Sequence, residues 1–156
     1  VYRTYFPKDP PARSTVAGSG LALGARAEIE CLAAQEKQAI QPGPMLSAAV
    51  RVGNVLYLSG QLGTNPETRQ LAPGGIGPET RQVLENIKRL LEQTGSSMDR
   101  VVKCTVFLAD IGDFGAMNEV YRTYFPKDPP ARSTVAVKGL VRDARIEIEC
   151  IGLVAA

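Results

Sequence analysis

The chain has no histidine and no tryptophan among its 156 residues, and only three cysteines. Without imidazole it can build neither a serine–histidine–aspartate nor a cysteine–histidine triad, and a common zinc ligand is missing. The cysteines form no CxxC pair, so we predict neither a disulfide framework nor a metal site. Any catalysis therefore depends on arginine, carboxylates, lysine, hydroxyl groups, backbone groups and water.

The chain also lacks an excess of charge of one sign and any long apolar run. Its 18 basic and 16 acidic side chains leave a formal net charge of +2, which argues against nucleic acid as the main partner. No segment approaches the length of a membrane span, and no signal-peptide pattern opens the chain. Because 44% of the residues are apolar, one core can be filled. We expect one soluble, cytoplasmic domain without a membrane partner.

What the chain does contain is a long internal repeat. Val1–Ala17 is identical to Val120–Ala136, and over the next seventeen positions eight residues are identical, so 25 of 34 positions match at an offset of 119. We call residues 1–34 the front copy and residues 120–153 the rear copy. The repeat indicates a structural unit of about 119 residues, of which the chain holds one complete example and part of a second.

The rear copy predicts two strands after a helix that Pro129 and Pro130 end. Side chains alternate over 131–137 and again over 145–151. On the first strand Arg132 and Thr134 share a face, and on the second Glu147 and Glu149 do. If the two strands are neighbours, the guanidinium and a carboxylate converge. The other face of the second strand is apolar and predicts core: Ile146, Ile148, Cys150.

The middle of the chain predicts a hairpin, two helices and a strand. Polar, proline-rich residues 35–44 indicate a linker, and a hairpin follows over 46–59 with its turn at Gly53-Asn54. An apolar stripe predicts a helix from Pro78 to Gln93. A strand over 101–108, with Val102, Cys104 and Val106 on one face, precedes a helix over 114–125 with Asp113 as its N-cap. The order ββαβαββ predicts an α+β fold, with a mixed sheet backed by two helices on one face.

The front copy repeats the end of this helix and the two strands, over 1–6, 12–17 and 26–32. The complete unit could therefore form from residues 35–156, or in a permuted order from residues 1–119, but one strand slot cannot hold both strands. We predict that residues 35–156 form it, because their second helix is unbroken and Ile146 replaces Ala27. The front copy, with Arg13 and Glu28 as a duplicate pair, would then be an exposed pair of strands able to dock on another chain by domain swapping.

Four motifs in register closely resemble the RidA/YjgF family of imine and enamine deaminases: Ser59-Gly60-Gln61, Asn118-Glu119-Val120-Tyr121, Pro130-Ala131-Arg132-Ser133 and Arg145-Ile146-Glu147-Ile148-Glu149. The resemblance covers residues 39–154. It implies a chorismate-mutase-like fold, a homotrimer with a cleft at each subunit interface, and no cofactor. The implied activity is hydrolysis of 2-imino acids such as 2-iminobutanoate and 2-iminopropanoate, and of their enamine tautomers, to 2-oxo acids and ammonia.

The resemblance also assigns roles to individual residues. Arg132 would bind the substrate carboxylate and Glu147 would position the attacking water, while Ser59, Gly60, Asn118 and Thr134 would line the pocket. Two positions depart from the usual family pattern, since Met45 stands where many members have tyrosine and Thr134 where many have cysteine.

Two other interpretations of these residues stay open. Without the family, Arg132 opposite Glu147 or Glu149 is most simply a structural ion pair between strands. A second class of function is a non-catalytic member that binds small carboxylates, or one with chaperone-like or ribonuclease activity.

Overall fold

A computed structural model describes residues 1–154. Within them, one seven-stranded mixed sheet carries two long helices on one face, and a two-stranded pair stands apart. The elements in chain order are α1 (Tyr2–Tyr5), β1 (Val16–Ala17), β2 (Gln38–Pro42), β3 (Ser47–Val52), β4 (Val55–Leu58), β5 (Gln61–Leu62), α2 (Ile76–Gln93), β6 (Val101–Leu108), α3 (Phe114–Tyr124), β7 (Ala131–Ala136), β8 (Gly139–Leu140) and β9 (Ile146–Leu153). The α+β class and the placement of both helices on one face are confirmed.

The order of the strands in the sheet positions the candidate site. It is β2-β3-β4-β9-β6-β7, with β5 also pairing with β9, so the last strand of the chain lies inside the sheet. Neighbouring strands are antiparallel except β6 and β7, which are parallel because α3 crosses over between them. β7 forms one edge of the sheet, and β6 separates it from β9. The condition under which Arg132 and Glu147 would converge in one chain, that their strands are neighbours, is therefore not met.

The core lies between the sheet and the helices. The stripe predicted on α2 is buried, and so is the predicted apolar face of β9. Val102 was predicted to lie in the core with Cys104 and Val106, but it is exposed. The reason is a register shift between Val101 and Lys103, which turns Val101 inward instead.

Three further predictions are corrected by the structure. Helix α2 begins at Ile76, two residues before Pro78, so the proline lies inside the first turn, where its missing N–H costs little. The segment predicted as a linker contains β2, which pairs with β3. Cys104 and Cys150 form a disulfide, so the prediction of no disulfide was wrong. The sequence does not reveal which strands pair, and β6 and β9 place these two cysteines directly opposite each other.

The front copy follows the turns of the rear copy for about 24 residues, but of the strand predicted over 12–17 only Val16–Ala17 forms, whereas its counterpart in the rear copy is the full strand β7. α1 corresponds to the last turn of α3, and the pairs Asp9/Asp128 and Leu23/Arg142 have φ values of 47°/47° and 56°/64°. After that point the copies differ, because residues 25–37 form no strand and the prediction of one over 26–32 was wrong. The physical reason is that β9 already fills the position between β4 and β6 that such a strand would occupy.

Candidate functional site

Glu147 is a buried carboxylate on the face of the sheet that the helices leave free. Its neighbours Ile146 and Ile148 point into the core, so alternation along β9 turns Glu147 to the other face. Only 4% of Glu147 is nevertheless exposed, because residues 59–60 and the front copy cover it. An ionisable side chain buried on an otherwise open face marks this position as a candidate site.

The loop after β4 fits around this carboxylate because residue 60 has no side chain. A Cβ at Gly60 would lie 1.8 Å from Glu147 Oε1 and 2.8 Å from Ser14 Oγ, far inside contact distance. Beside it, the buried Ser59 hydroxyl donates to the Ser47 carbonyl at 2.6 Å and accepts from the Arg13 N–H at 2.7 Å. Ser59 therefore fixes the backbone at this point, and Gly60 leaves room for the carboxylate.

Burial controls the acidity of Glu147. Desolvation raises the pKa of its carboxyl from 4.5 to about 7, and the neighbouring charge of Glu149 adds to the rise. The Thr15 backbone and the Arg13 guanidinium oppose it, each lowering the pKa. A carboxyl group with a pKa near neutrality can exchange a proton with a reactant at neutral pH.

The arginine whose charge reaches Glu147 comes from the front copy. Arg13 lies with its guanidinium carbon 4.7 Å from the centre of the Tyr2 ring, and its Nε is buried without a hydrogen-bond partner. Among residues 1–154 the ion pairs are Arg122–Glu119 and Arg145–Asp113, so Arg13 forms no ion pair, although its charge acts on Glu147. The guanidinium N–H groups of Arg13 are therefore free to bind an anion.

Arg132 lies elsewhere in the same chain. On β7 it is in register with Cys104, whose side chain is in the core, and its guanidinium carbon is 4.6 Å from the Tyr121 ring of α3. It therefore lies on the helix side of the sheet, whereas Glu147 lies on the opposite side. Within one chain the structure does not bring the two together.

The remaining predicted residues divide between these two places. Thr134 lies on β7 two residues from Arg132, and its buried hydroxyl has no hydrogen-bond partner within residues 1–154. Asn118 is half-buried on α3, on the face that it shares with Phe114 and Tyr121. Glu28 lies in the exposed segment after the front copy's turn, which forms no strand, and within residues 1–154 no ion pair joins it to Arg13.

Sequence reasoning missed three residues that the structure places at the site. Ser47, Ser14 and Thr15 contact the residues around Glu147. A signal for the last two was present, since residues 1–17 are identical to residues 120–136 and a surface that fits one copy fits the other. Among residues 1–154, no three His, Cys, Asp or Glu side chains are grouped to hold a metal, and no helix is long and apolar enough to cross a membrane.

A mixed sheet with two helices on one face and a buried carboxylate on the other defines a single-sheet α+β protein of the chorismate-mutase-like class. Residues 36–154 match the family model described as Endoribonuclease L-PSP. The chain belongs to this family, which is the RidA/YjgF family that the motifs resemble.

Individual relatives agree with the family match. A mouse protein named 2-iminobutanoate/2-iminopropanoate deaminase is 46% identical over 107 residues, which are 69% of this chain and 79% of that protein. The crystal structure of a Thermotoga maritima putative endoribonuclease is 47% identical, with a TM-score of 0.68, over 70% of this chain and 87% of that one. The Escherichia coli protein TdcF, crystallised with bound serine, is 34% identical, with a TM-score of 0.67, over 75% of this chain and 91% of that one.

Proposed function

We propose that this chain is an imine deaminase that hydrolyses small 2-imino acids and their enamine tautomers to 2-oxo acids and ammonia. The observation that carries the proposal is a buried Glu147 with a pKa of about 7, close to the charge of Arg13, an arginine that forms no ion pair within residues 1–154. The name of the mouse relative supports the activity, and 2-iminobutanoate and 2-iminopropanoate are the substrates we propose. The serine bound to TdcF supports a site that accepts a small amino acid skeleton.

The guanidinium would bind the substrate carboxylate through two parallel hydrogen bonds. The motif Pro-Ala-Arg-Ser occurs twice, with Arg132 in the rear copy and Arg13 in the front copy. Because Arg132 lies on the opposite side of the sheet from its own Glu147, it could act only on the Glu147 of another chain. Two arrangements could therefore complete the site: the homotrimer that the resemblance implies, with Arg132 supplied by a second chain, or Arg13 of the same chain.

Glu147 would then act as a general base. As the water oxygen bonds to the imine carbon, the carboxylate accepts one proton from that water and then passes it to the nitrogen. The carboxylate next accepts the remaining hydroxyl proton as the carbonyl forms and the C–N bond breaks, and ammonia leaves. A protonated imine is already electrophilic, so orientation and proton transfer supply most of the acceleration needed. Ser59 and Gly60 would line the pocket beside Glu147, and Thr134 and Asn118 would line it where a second chain supplies them together with Arg132.

The direct test is to neutralise each of the two glutamates on this face of β9. With 2-iminopropanoate generated in situ from alanine by an amino-acid oxidase, Glu147→Gln should lower the rate of imine hydrolysis by about 100-fold or more, because the base is lost. Glu149→Gln is the matched control, which should cost less than about tenfold. Equal rates for Glu147→Gln and the unmodified chain would overturn the role of Glu147.

One feature favours a second candidate, a non-catalytic protein that binds small carboxylates. Met45, which is about half exposed, provides a thioether where many family members have a tyrosine hydroxyl. A chain of this kind would bind 2-oxobutanoate, measured by calorimetry, and would not accelerate imine hydrolysis. Cleavage of a single-stranded RNA without imine hydrolysis would instead favour the ribonuclease alternative.

A further inference from the structure

The front copy is docked on the surface around Glu147 through its backbone. The Ser47 N–H donates to the Pro11 carbonyl at 3.1 Å, and the Ser47 hydroxyl donates to the Pro10 carbonyl. The Gly60 N–H donates to the Arg13 carbonyl at 3.2 Å. Further along, the Ser14 hydroxyl donates to Glu149, and β1 pairs with β8. We call the surface formed by residues 47, 59–60, 139–140, 147 and 149 the docking surface.

The docked segment holds its arginine in the same way as the rear copy holds Arg132. Tyr2 and Phe6 have ring centres 4.8 Å apart, compared with 4.7 Å for Tyr121 and Phe125. Arg13 lies 4.7 Å from the Tyr2 ring, compared with 4.6 Å for Arg132 from the Tyr121 ring. The two segments therefore present the same guanidinium on the same aromatic support.

We propose that the front copy completes the site of its own chain, with Arg13 binding the substrate carboxylate beside Glu147 and residues 1–17 occupying the surface on which a second chain would place residues 120–136. This inference rests on the proposed function for the role of the arginine. It goes beyond that function because it makes one chain self-sufficient and assigns the front copy a role in the site.

Sequence identity makes the two segments competitors for one docking surface. Residues 120–136 of a second copy are available, because β7 is an edge strand with Ala131 and Ser133 exposed. Residues 1–17, however, are tethered to the surface by residues 18–37, and a short flexible tether gives an effective concentration on the order of millimolar. At micromolar concentrations of chain the tethered copy therefore prevails, and the chain should sediment as a 16.7 kDa monomer.

Two full-length variants distinguish the tethered arginine from one supplied by a second chain. Arg13→Ala keeps the backbone contacts of the front copy but removes its guanidinium, so kcat/KM should fall by roughly 10- to 100-fold. Ser133→Asp changes the matching serine of the rear copy, where it accepts from Lys103 Nζ at 2.8 Å. It would repel Glu149 of a second chain but leaves the tethered site untouched, so activity should stay within about twofold. The reverse pattern overturns the inference and leaves the proposed function standing.

Mixing variants tests whether Arg13 acts within its own chain. In a mixture of Arg13→Ala and Glu147→Gln chains, neither chain has both groups, so the activity should not exceed the summed residual activities of the two variants. Recovery of activity on mixing would mean that front copies exchange between chains and would overturn completion within one chain.

A measurement without substrate separates failure of this inference from failure of the proposed function. The Arg13 charge lowers the pKa of Glu147, so the carboxyl ¹³C titration of Glu147 should move to higher pH in Arg13→Ala and stay in place in Ser133→Asp. An unmoved titration in Arg13→Ala would refute the placement of Arg13 whether or not the chain hydrolyses imines.

Discussion

The front and rear copies have the same sequence over seventeen residues, yet they lie in different parts of the molecule. Residues 120–136 continue from α3 into β7 and belong to the sheet, whereas residues 1–17 lie across the opposite face as a docked segment. Their local turns nevertheless agree, including left-handed Asp9 and Asp128. Local sequence determines the shape of this segment, and the place it takes is determined by the surface that is free.

The two copies diverge where local sequence alone is not sufficient. Residues 26–32 resemble 145–151, but the first segment is exposed and without a strand while the second forms the inner strand β9. A strand depends on partners at its edges, and β4 and β6 can accept only one. Ile146 in β9, which is fully buried, gives that segment an advantage over Ala27.

The largest effect should come from exchanging the residues at this pair of positions. Ile146→Ala leaves a cavity in the core and should lower the free energy of unfolding by about 2–5 kcal/mol. Ala27→Ile changes an exposed residue outside the sheet and should alter it by less than about 0.5 kcal/mol. Urea unfolding followed by circular dichroism measures both. A comparable loss in the two variants would contradict the difference between the copies.

The second largest effect should come from disturbing the contact between the front copy and the loop after β4. In Gly60→Ala the new Cβ meets Glu147 Oε1 and Ser14 Oγ, so both the carboxylate and the docked segment must move. We expect imine hydrolysis to fall by about 100-fold, since displacements of about 1 Å at a reacting group can cost this much. Gly20→Ala is the control, because a Cβ there meets nothing within 4 Å. Full activity in Gly60→Ala would mean that this close fit is not needed.

Much of the fold could be predicted from local pattern. The strand over 101–108 agrees with β6 in both bounds, and the hairpin, with Gly53 at a φ of 58°, was predicted from a turn signal that local sequence carries. The alternation of side chains along the predicted strand correctly placed Ile146 and Ile148 on the opposite face of β9 from Glu147. These features depend on residues that are close in the sequence.

Features that depend on distant residues could not be predicted in the same way. The insertion of β9 between β4 and β6 determines that Cys104 meets Cys150 and that Arg132 and Glu147 lie on opposite faces. The front copy was predicted to be exposed and able to dock on another chain, and its docking on its own chain was not predicted, because the sequence indicates that the two copies are alike without showing which surface they fit. Motifs identified Glu147 and Gly60 as candidates, but the arginine beside them depends on tertiary structure.

The smallest effect concerns the pH dependence of stability. Since the pKa of Glu147 is about 7 in the folded chain and 4.5 is its ordinary value, the folded state binds more protons than the unfolded state between these values. The contribution of Glu147 to the free energy of unfolding therefore decreases as pH rises from about 4.5 to about 7. Between about pH 5 and pH 8, the unmodified chain should lose about 2 kcal/mol relative to Glu147→Gln. Buried Glu79, whose pKa is also raised, is present in both chains and cancels in the difference. Parallel stability curves for the two chains, measured by urea unfolding, would mean that Glu147 is not desolvated and that the front copy does not cover it.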